Sequence, residues 1–210
     1  MKRVAHLQRP FCFDGGSYLA ATRTIGQWFR ASAEKGHAMF RIREATPDDH
    51  AAVERLLADS YPRLLQGAYP SPVLAAALPK LIRARPELLQ SGTYFLAICK
   101  RDNRILGAGG WTADPSRAGQ GHIRHVATAH DSVRRGVGRA VLAHALASAR
   151  TAAVRDMVCH ATLPAVPFYR ALGFVEQGRT ELELAPGLGF PVVVMHQALS
   201  DGCWRSRGVF

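Results

Sequence analysis

Val133-Arg134-Arg135-Gly136-Val137-Gly138-Arg139-Ala140 is the stretch on which the fold turns. Residues 122–128 before it predict a strand. Val141, Leu142, Ala145 and Leu146 after it are spaced as the buried stripe of a helix running to about Arg150. The N–H groups of a helix's first turn lack acceptors inside the helix, and together with the helix dipole they attract anionic oxygens. Gly136 and Gly138 carry no Cβ to hold a diphosphate away from the backbone. Arg134, Arg135 and Arg139 add positive charge at the same place. No Lys-Ser/Thr follows the second glycine, so this is not a Walker loop, and no third glycine completes the longer dinucleotide fingerprint. Taken alone, the segment leaves open a glycine pair that merely turns the chain.

Outward from this stretch, residues 40–45 alternate apolar and charged side chains, as a half-buried strand does. Thr46-Pro47-Asp48-Asp49 then supplies an N-cap, a first-turn proline and first-turn carboxylates. The helix that follows carries Val53, Leu56 and Leu57 on one face and is expected to end near Pro62. A second helix starts at Ser71-Pro72, is interrupted at Pro79 and stops at Pro86. Residues 93–100 and 105–112 predict a hairpin, 114–120 a polar loop, and 154–161 a strand. A short helix to Leu172 comes next, with Gly173 just past its end. Strands at 174–184 and 192–199, joined by a loop at 185–189, close the pattern. The order β-α-α-β-β-β-α-β-α-β-β predicts one mixed α/β (α+β) layered fold.

Composition narrows the function. The 210 residues are 48% hydrophobic and 20% charged, with 27 Lys+Arg against 16 Asp+Glu for a net charge of +11. That is globular usage, not that of a disordered or collagen-like chain. No apolar stretch approaches the roughly 20 residues that cross a bilayer, so no membrane partner is expected. Cys12, Cys99, Cys159 and Cys203 form no C-x-x-C pair and no His/Cys cluster. The expectation is reduced thiols, no metal site and a cytoplasmic protein, with Cys159 structural. Six basic and two acidic residues fall in 1–38, and nineteen and thirteen in 39–200. Charge this scattered, with no basic run interleaved with aromatics, argues against a nucleic-acid partner. Binding through residues 1–38 is the competing class; it predicts salt-dependent DNA affinity that disappears on truncation to Met39. Residues 1–38 are expected to be a poorly structured extension, 39–200 the folded domain, and 201–210 a tail.

A second segment, Phe168-Tyr169-Arg170-Ala171-Leu172-Gly173-Phe174, stands one strand after the glycine-turn helix. With Arg135-Gly136-Val137-Gly138-Arg139-Ala140, in this order and spacing, it resembles the GNAT superfamily of acyl-CoA-dependent N-acetyltransferases. The resemblance extends over residues 40–199. It implies a mixed, mostly antiparallel, twisted sheet with helices on both faces. It also implies a splay between the fourth and fifth strands, in which acetyl-CoA would lie. Backbone groups of Val126, Ala127 and Thr128 would pair with the pantetheine arm. The N–H groups of Gly136, Val137, Gly138 and Arg139 would hold the diphosphate, with Arg134, Arg135 and Ala140 beside it. Tyr169 takes the position of a general acid that protonates the departing CoA thiolate. Two positions depart from the family pattern. Val133 replaces the usual Gln or Arg three residues before the first glycine, and Thr162 replaces an Asn. Shifting the motif to Arg135-x-x-Gly138-x-Ala140 restores the arginine, but the first register turns both glycines toward the anion.

The resemblance places a glutamate base in many relatives where this chain has residues 121–125. His122 and His125 are the candidates here, with a water chain as a third option. Their parity differs, so in a regular strand only one faces the reaction. Tyr61 and Tyr69, with the loop 186–191, are the candidate acceptor-binding features. The few nearby carboxylates (Glu44, Asp59 and Asp114) argue against a polycationic acceptor. The expected activity is acetyl transfer to a primary amine of a small molecule, amino acid or peptide. An acyl-CoA-binding sensor without turnover is the alternative. Members of the family commonly pair through their late strands, which leaves a homodimer open.

Overall fold

The computed structural model describes residues 39–199, so the expectations for residues 1–38 and 201–210 lie outside the described residues. The chain runs β1 (Phe40–Glu44), α1 (His50–Leu65), α2 (Ser71–Leu81), α3 (Pro86–Leu89), β2 (Tyr94–Cys99) and β3 (Ile105–Ala113). It continues through β4 (Gln120–Thr128), α4 (Val137–Thr151), β5 (Asp156–Ala161), α5 (Val166–Arg170), β6 (Val175–Ala185) and β7 (Leu188–Ala198). The seven strands form one sheet in the order β1-β2-β3-β4-β5-β7-β6. Every neighbouring pair is antiparallel except β4 and β5, which run parallel.

Strand alternation divides the core between two faces. On β2, Phe95 packs with Trp111, Ile123 and Met157 under Leu142, Ala145 and Leu146 of α4. Its neighbours Tyr94, Leu96 and Ile98 meet Val53, Leu56 and Leu57 of α1 and Leu88 and Leu89 of α3 on the other side. A further cluster seats Leu74 and Ala77 of α2 on Phe190 and Val192 of β7. Asp49 pins the first helical entry. Its carboxylate accepts two bonds from Arg43 at 2.7 Å, as well as the Thr46 N–H at 2.8 Å and hydroxyl at 3.0 Å. The Arg43 guanidinium foremost, helped by Thr46 and opposed by burial, holds that carboxyl at about 2.

Three proline readings are corrected. α1 runs through Pro62 to Leu65 instead of ending, because Leu65 at its last turn is buried with Tyr69, Leu74 and Phe190. That burial outweighs the single backbone bond a proline forfeits. Pro79 lies inside α2. Pro86, expected to stop a helix, opens α3, since at a first helical position its missing N–H has no partner to lose. The 185–189 loop contracts to a two-residue turn at Pro186-Gly187, because Phe190, fully buried, draws the start of β7 into the sheet.

Candidate functional site

The parallel ladder between β4 and β5 is short. Gln120, Gly121 and His122 pair with Asp156, Met157 and Val158, and pairing stops there. β4 continues to Thr128 against β3, while Cys159, His160 and Ala161 of β5 stay paired with β7. From Ile123 onward the two strands part, leaving a wedge with an unpaired strand edge inside the sheet.

That edge is irregular. The β3–β4 register shifts between Ala108 and Gly110, so that Gly109 stands opposite both His125 and Val126. His125 takes up the extra residue with φ of 43°, a left-handed conformation uncommon for a non-glycine residue. The Tyr94 hydroxyl donates to the His125 carbonyl at 2.9 Å and holds the bulge in place. Beyond it, Ala129 N–H donates to Leu106 O at 2.8 Å. Strand alternation therefore turns the polar groups of Ala127 toward β3 and those of Thr128 toward the wedge.

The glycine turn closes the far end of β4. Arg134 at φ 62° and Gly136 at φ 80° bend the chain into α4. No atom lies within 4 Å of where a Gly136 Cβ would stand, so this glycine serves the left-handed backbone. Gly138 serves close approach: a Cβ there would meet Thr128 Oγ1 at 2.9 Å and the Phe168 ring at 3.6 Å. Val137 is buried, whereas Arg134 and Arg135 are exposed. An ion pair from Arg104 to Asp131 at 2.8 Å, and the Ser132 hydroxyl on the same carboxylate at 2.9 Å, tie down the approach to the turn.

At the near end, where the ladder stops, His122 Nε2 lies 2.7 Å from Asp114 Oδ2. Asp114 also accepts the Ser116 hydroxyl and the N–H groups of Ser116 and Arg117. The His122 bond foremost, with those from Ser116, keeps its carboxyl well below the usual carboxylate range. An ionised carboxylate only accepts, so the shared proton sits on Nε2, and in the neutral ring the lone pair of His122 is on Nδ1. Two residues on, Arg124 Nε donates to Thr112 Oγ1 at 2.9 Å. His125, expected to lie on the opposite face from His122, sits at the bulge, where strand parity does not hold. Burial, followed by the charges of Arg85 and Arg124, lowers its pKa to about 4 and keeps it neutral.

Tyr169, in α5, is only 7% exposed and packs edge-on to Phe168 and Phe174 with ring centroids at 5.2 and 5.4 Å. Among the described residues its hydroxyl has no hydrogen-bond partner. Burial, then Cys159 and Tyr61, raise its pKa well above the ordinary phenol value. Burial likewise pushes Tyr61 up to about 12 and Cys159 up to about 12, so all three stay protonated at neutral pH.

The acetyltransferase (GNAT) domain family matches residues 73–185, more than half of the chain. The chain belongs to the GNAT acetyltransferase family. A GCN5-related N-acetyltransferase from Rhodopseudomonas palustris superimposes with a TM-score of 0.60 at 17% identity, over 76% of this chain and 95% of its own. PaiA N-acetyltransferase from Thermoplasma acidophilum, crystallised with coenzyme A, gives 0.59 at 13% identity over 76% and 98%. Ard1 from Thermoplasma volcanium gives 0.55 at 16% identity over 77% and 99%. At such identities the likeness is one of fold. No curated protein shows a significant match.

In this GNAT chain the residues expected from sequence fall into three groups. Val126 and Thr128 lie along the wedge edge, with Arg134, Arg135, Gly136, Val137, Gly138, Arg139 and Ala140 at its far end, whereas Ala127, expected to pair with the pantetheine arm, turns its polar groups to β3. His122 stands at the apex, where the ladder ends, and Tyr169 lies near Cys159 and Tyr61. Tyr69 stands apart: its hydroxyl donates to Pro191 O at 3.0 Å, accepts Leu163 N–H at 2.8 Å, and its ring stacks on Phe190 at 4.5 Å. It braces the segment before α5 against β7. Sequence reasoning passed over Asp114 as the partner of His122, and passed over Arg124 and His160 as neighbours of the cleft. Asp114 and His122 bracket a polar loop, and that spacing was the available signal. Among the described residues no helix is long and apolar enough to cross a membrane.

Proposed function

We propose that this GNAT acyltransferase moves an acetyl group from acetyl-CoA to a primary amine of a small molecule, amino acid or peptide. The observation that carries this reading is the ladder's end after His122 and Val158, which leaves an interior strand edge between a glycine turn and a His–Asp pair. The residues present suit a long, thread-like ligand with an anionic middle. Thr128 offers a free N–H and C=O that an extended pantetheine arm takes as an added strand would. The first-turn N–H groups of α4, above all those of Val137 and Gly138, with Arg134 and Arg135 nearby, suit a diphosphate. The missing Gly138 Cβ lets the first turn of α4 pack closely against Thr128 and Phe168.

Bound acetyl-CoA supplies an acetyl group activated as a thioester. The protein's own work is proton handling. A lysine-like acceptor, at pKa about 10.4, arrives as an ammonium ion. His122 Nδ1 takes its proton, and the Asp114 carboxylate steadies the imidazolium that results. The Tyr169 hydroxyl, kept protonated by burial, gives its proton to the departing sulfur. The test is CoA release measured over amines, amino acids and peptides. Release with at least one class, lowered about 100-fold in His122→Gln, supports the reading. Thermal protection by acetyl-CoA with no release for any acceptor assigns the chain to binding without turnover.

A further inference from the structure

Arg124 is a half-buried cation that the acetyl-transfer scheme does not use. It lies on β4 two residues beyond His122, on the same sheet face, and Thr112 Oγ1 takes its Nε–H at 2.9 Å. Among the described residues no carboxylate lies within ion-pair distance of its guanidinium. The groups around it are mostly basic or neutral: Arg85 and His125 on its own side, His122 beside it, and His160 on β5 across the wedge. Asp114 is the carboxylate that acts on it, and Asp114 is already engaged by His122, Ser116 and Arg117. Burial and the repulsion of Arg85 work against its charge. A guanidinium kept out of water without a counter-ion is costly, and its bidentate fork matches a carboxylate.

We infer that the acceptor carries a carboxylate, bound by Arg124 while its amine faces His122. Positions i and i+2 of a strand stand about 7 Å apart, so converging side chains can hold both ends of a small amino acid. The surplus of positive charge at the cleft also repels polyamines and aminoglycoside-like cations, which carry no such group. The inference rests on the acetyl-transfer reading and narrows its substrate class.

Matched acceptors test it: an amino acid, its carboxamide and its decarboxylated amine, compared by CoA release in the full chain. The expected result is a kcat/KM for the acid about tenfold or more above that of the amide. Arg124→Gln should raise KM for the acid by a similar factor and bring the acid-to-amide ratio toward one. Arg124→Lys, which keeps the charge but loses the fork, should fall between. Melting temperatures show whether each variant is folded. Equal use of acid and amide by the wild type overturns the inference while leaving acetyl transfer standing. If no acceptor is turned over, the acetyl-transfer reading fails, and protection against melting by N-acetyl amino acids versus their amides decides the carboxylate site. Protection by the acids alone, lost in Arg124→Gln, supports it; equal or absent protection overturns it.

Discussion

The two halves of β4 belong to one continuous strand and do opposite things. Over Gln120–His122 the strand is bonded on both sides, to β3 and to β5, with Met157 of β5 fully buried under α4. Beyond His122 it is bonded on the β3 side alone, carries a bulge at His125, and ends in a turn with two left-handed residues. The paired half is stable because its polar groups and side chains are satisfied. The open half keeps unpaired backbone groups and a strained residue inside the sheet, where both are costly unless a ligand completes them. On the proposed reading, stability and binding are divided along one strand.

That division can be broken from either side. Tyr169→Phe, at the open half, should lower kcat by about 100-fold or more while acetyl-CoA affinity stays unchanged, read by steady-state kinetics alongside calorimetry. Met157→Ala, in the paired half, should cost about 2–4 kcal/mol of stability in denaturant unfolding and leave acetyl-CoA affinity intact. Gly138→Val should weaken acetyl-CoA binding about tenfold, near 1.4 kcal/mol, as the new side chain crowds Thr128 and Phe168. Gly136→Ala meets no atom and should instead cost about 1–2 kcal/mol of stability through its backbone conformation. If Gly138→Val and Gly136→Ala prove interchangeable, the distinction between approach and backbone fails.

A further expected effect is a pH dependence. His125 has its pKa depressed from 6.5 to about 4 in the fold, so the unfolded chain binds more protons between those values. Stability therefore falls as pH drops from 6.5 toward 4. His125→Asn, which tolerates the left-handed conformation, should flatten that part of a melting-temperature profile. The loss tied to Asp49 comes later, between its ordinary 3.8 and about 2, and should persist in the variant.

How much was legible follows the range of the interactions. Element order came through, because apolar spacing and local caps such as Thr46 and Asp49 act within a few residues. Prolines misled at Pro62, Pro79 and Pro86, since whether a proline ends, bends or starts a helix depends on what the next turn buries. In the site, the glycine turn was legible as a local device. His122 and His125 were visible as candidates, but strand parity could not sort them. A bulge is a mismatch between two strands, and His125 alone gives no sign that Gly109 stands opposite.

From the amino-acid order alone came the β–turn–α segment with its glycine pair, the phenol in the segment after it and the family they resemble, because each depends on residues adjacent along the chain. Tertiary structure alone decided where the β4–β5 ladder ends, that Asp114 holds His122, that Tyr69 is a brace, and that Arg124 lacks a carboxylate partner among the described residues. Those are meetings of segments distant in sequence, and only packing determines which side chains share a space and which are left without a partner.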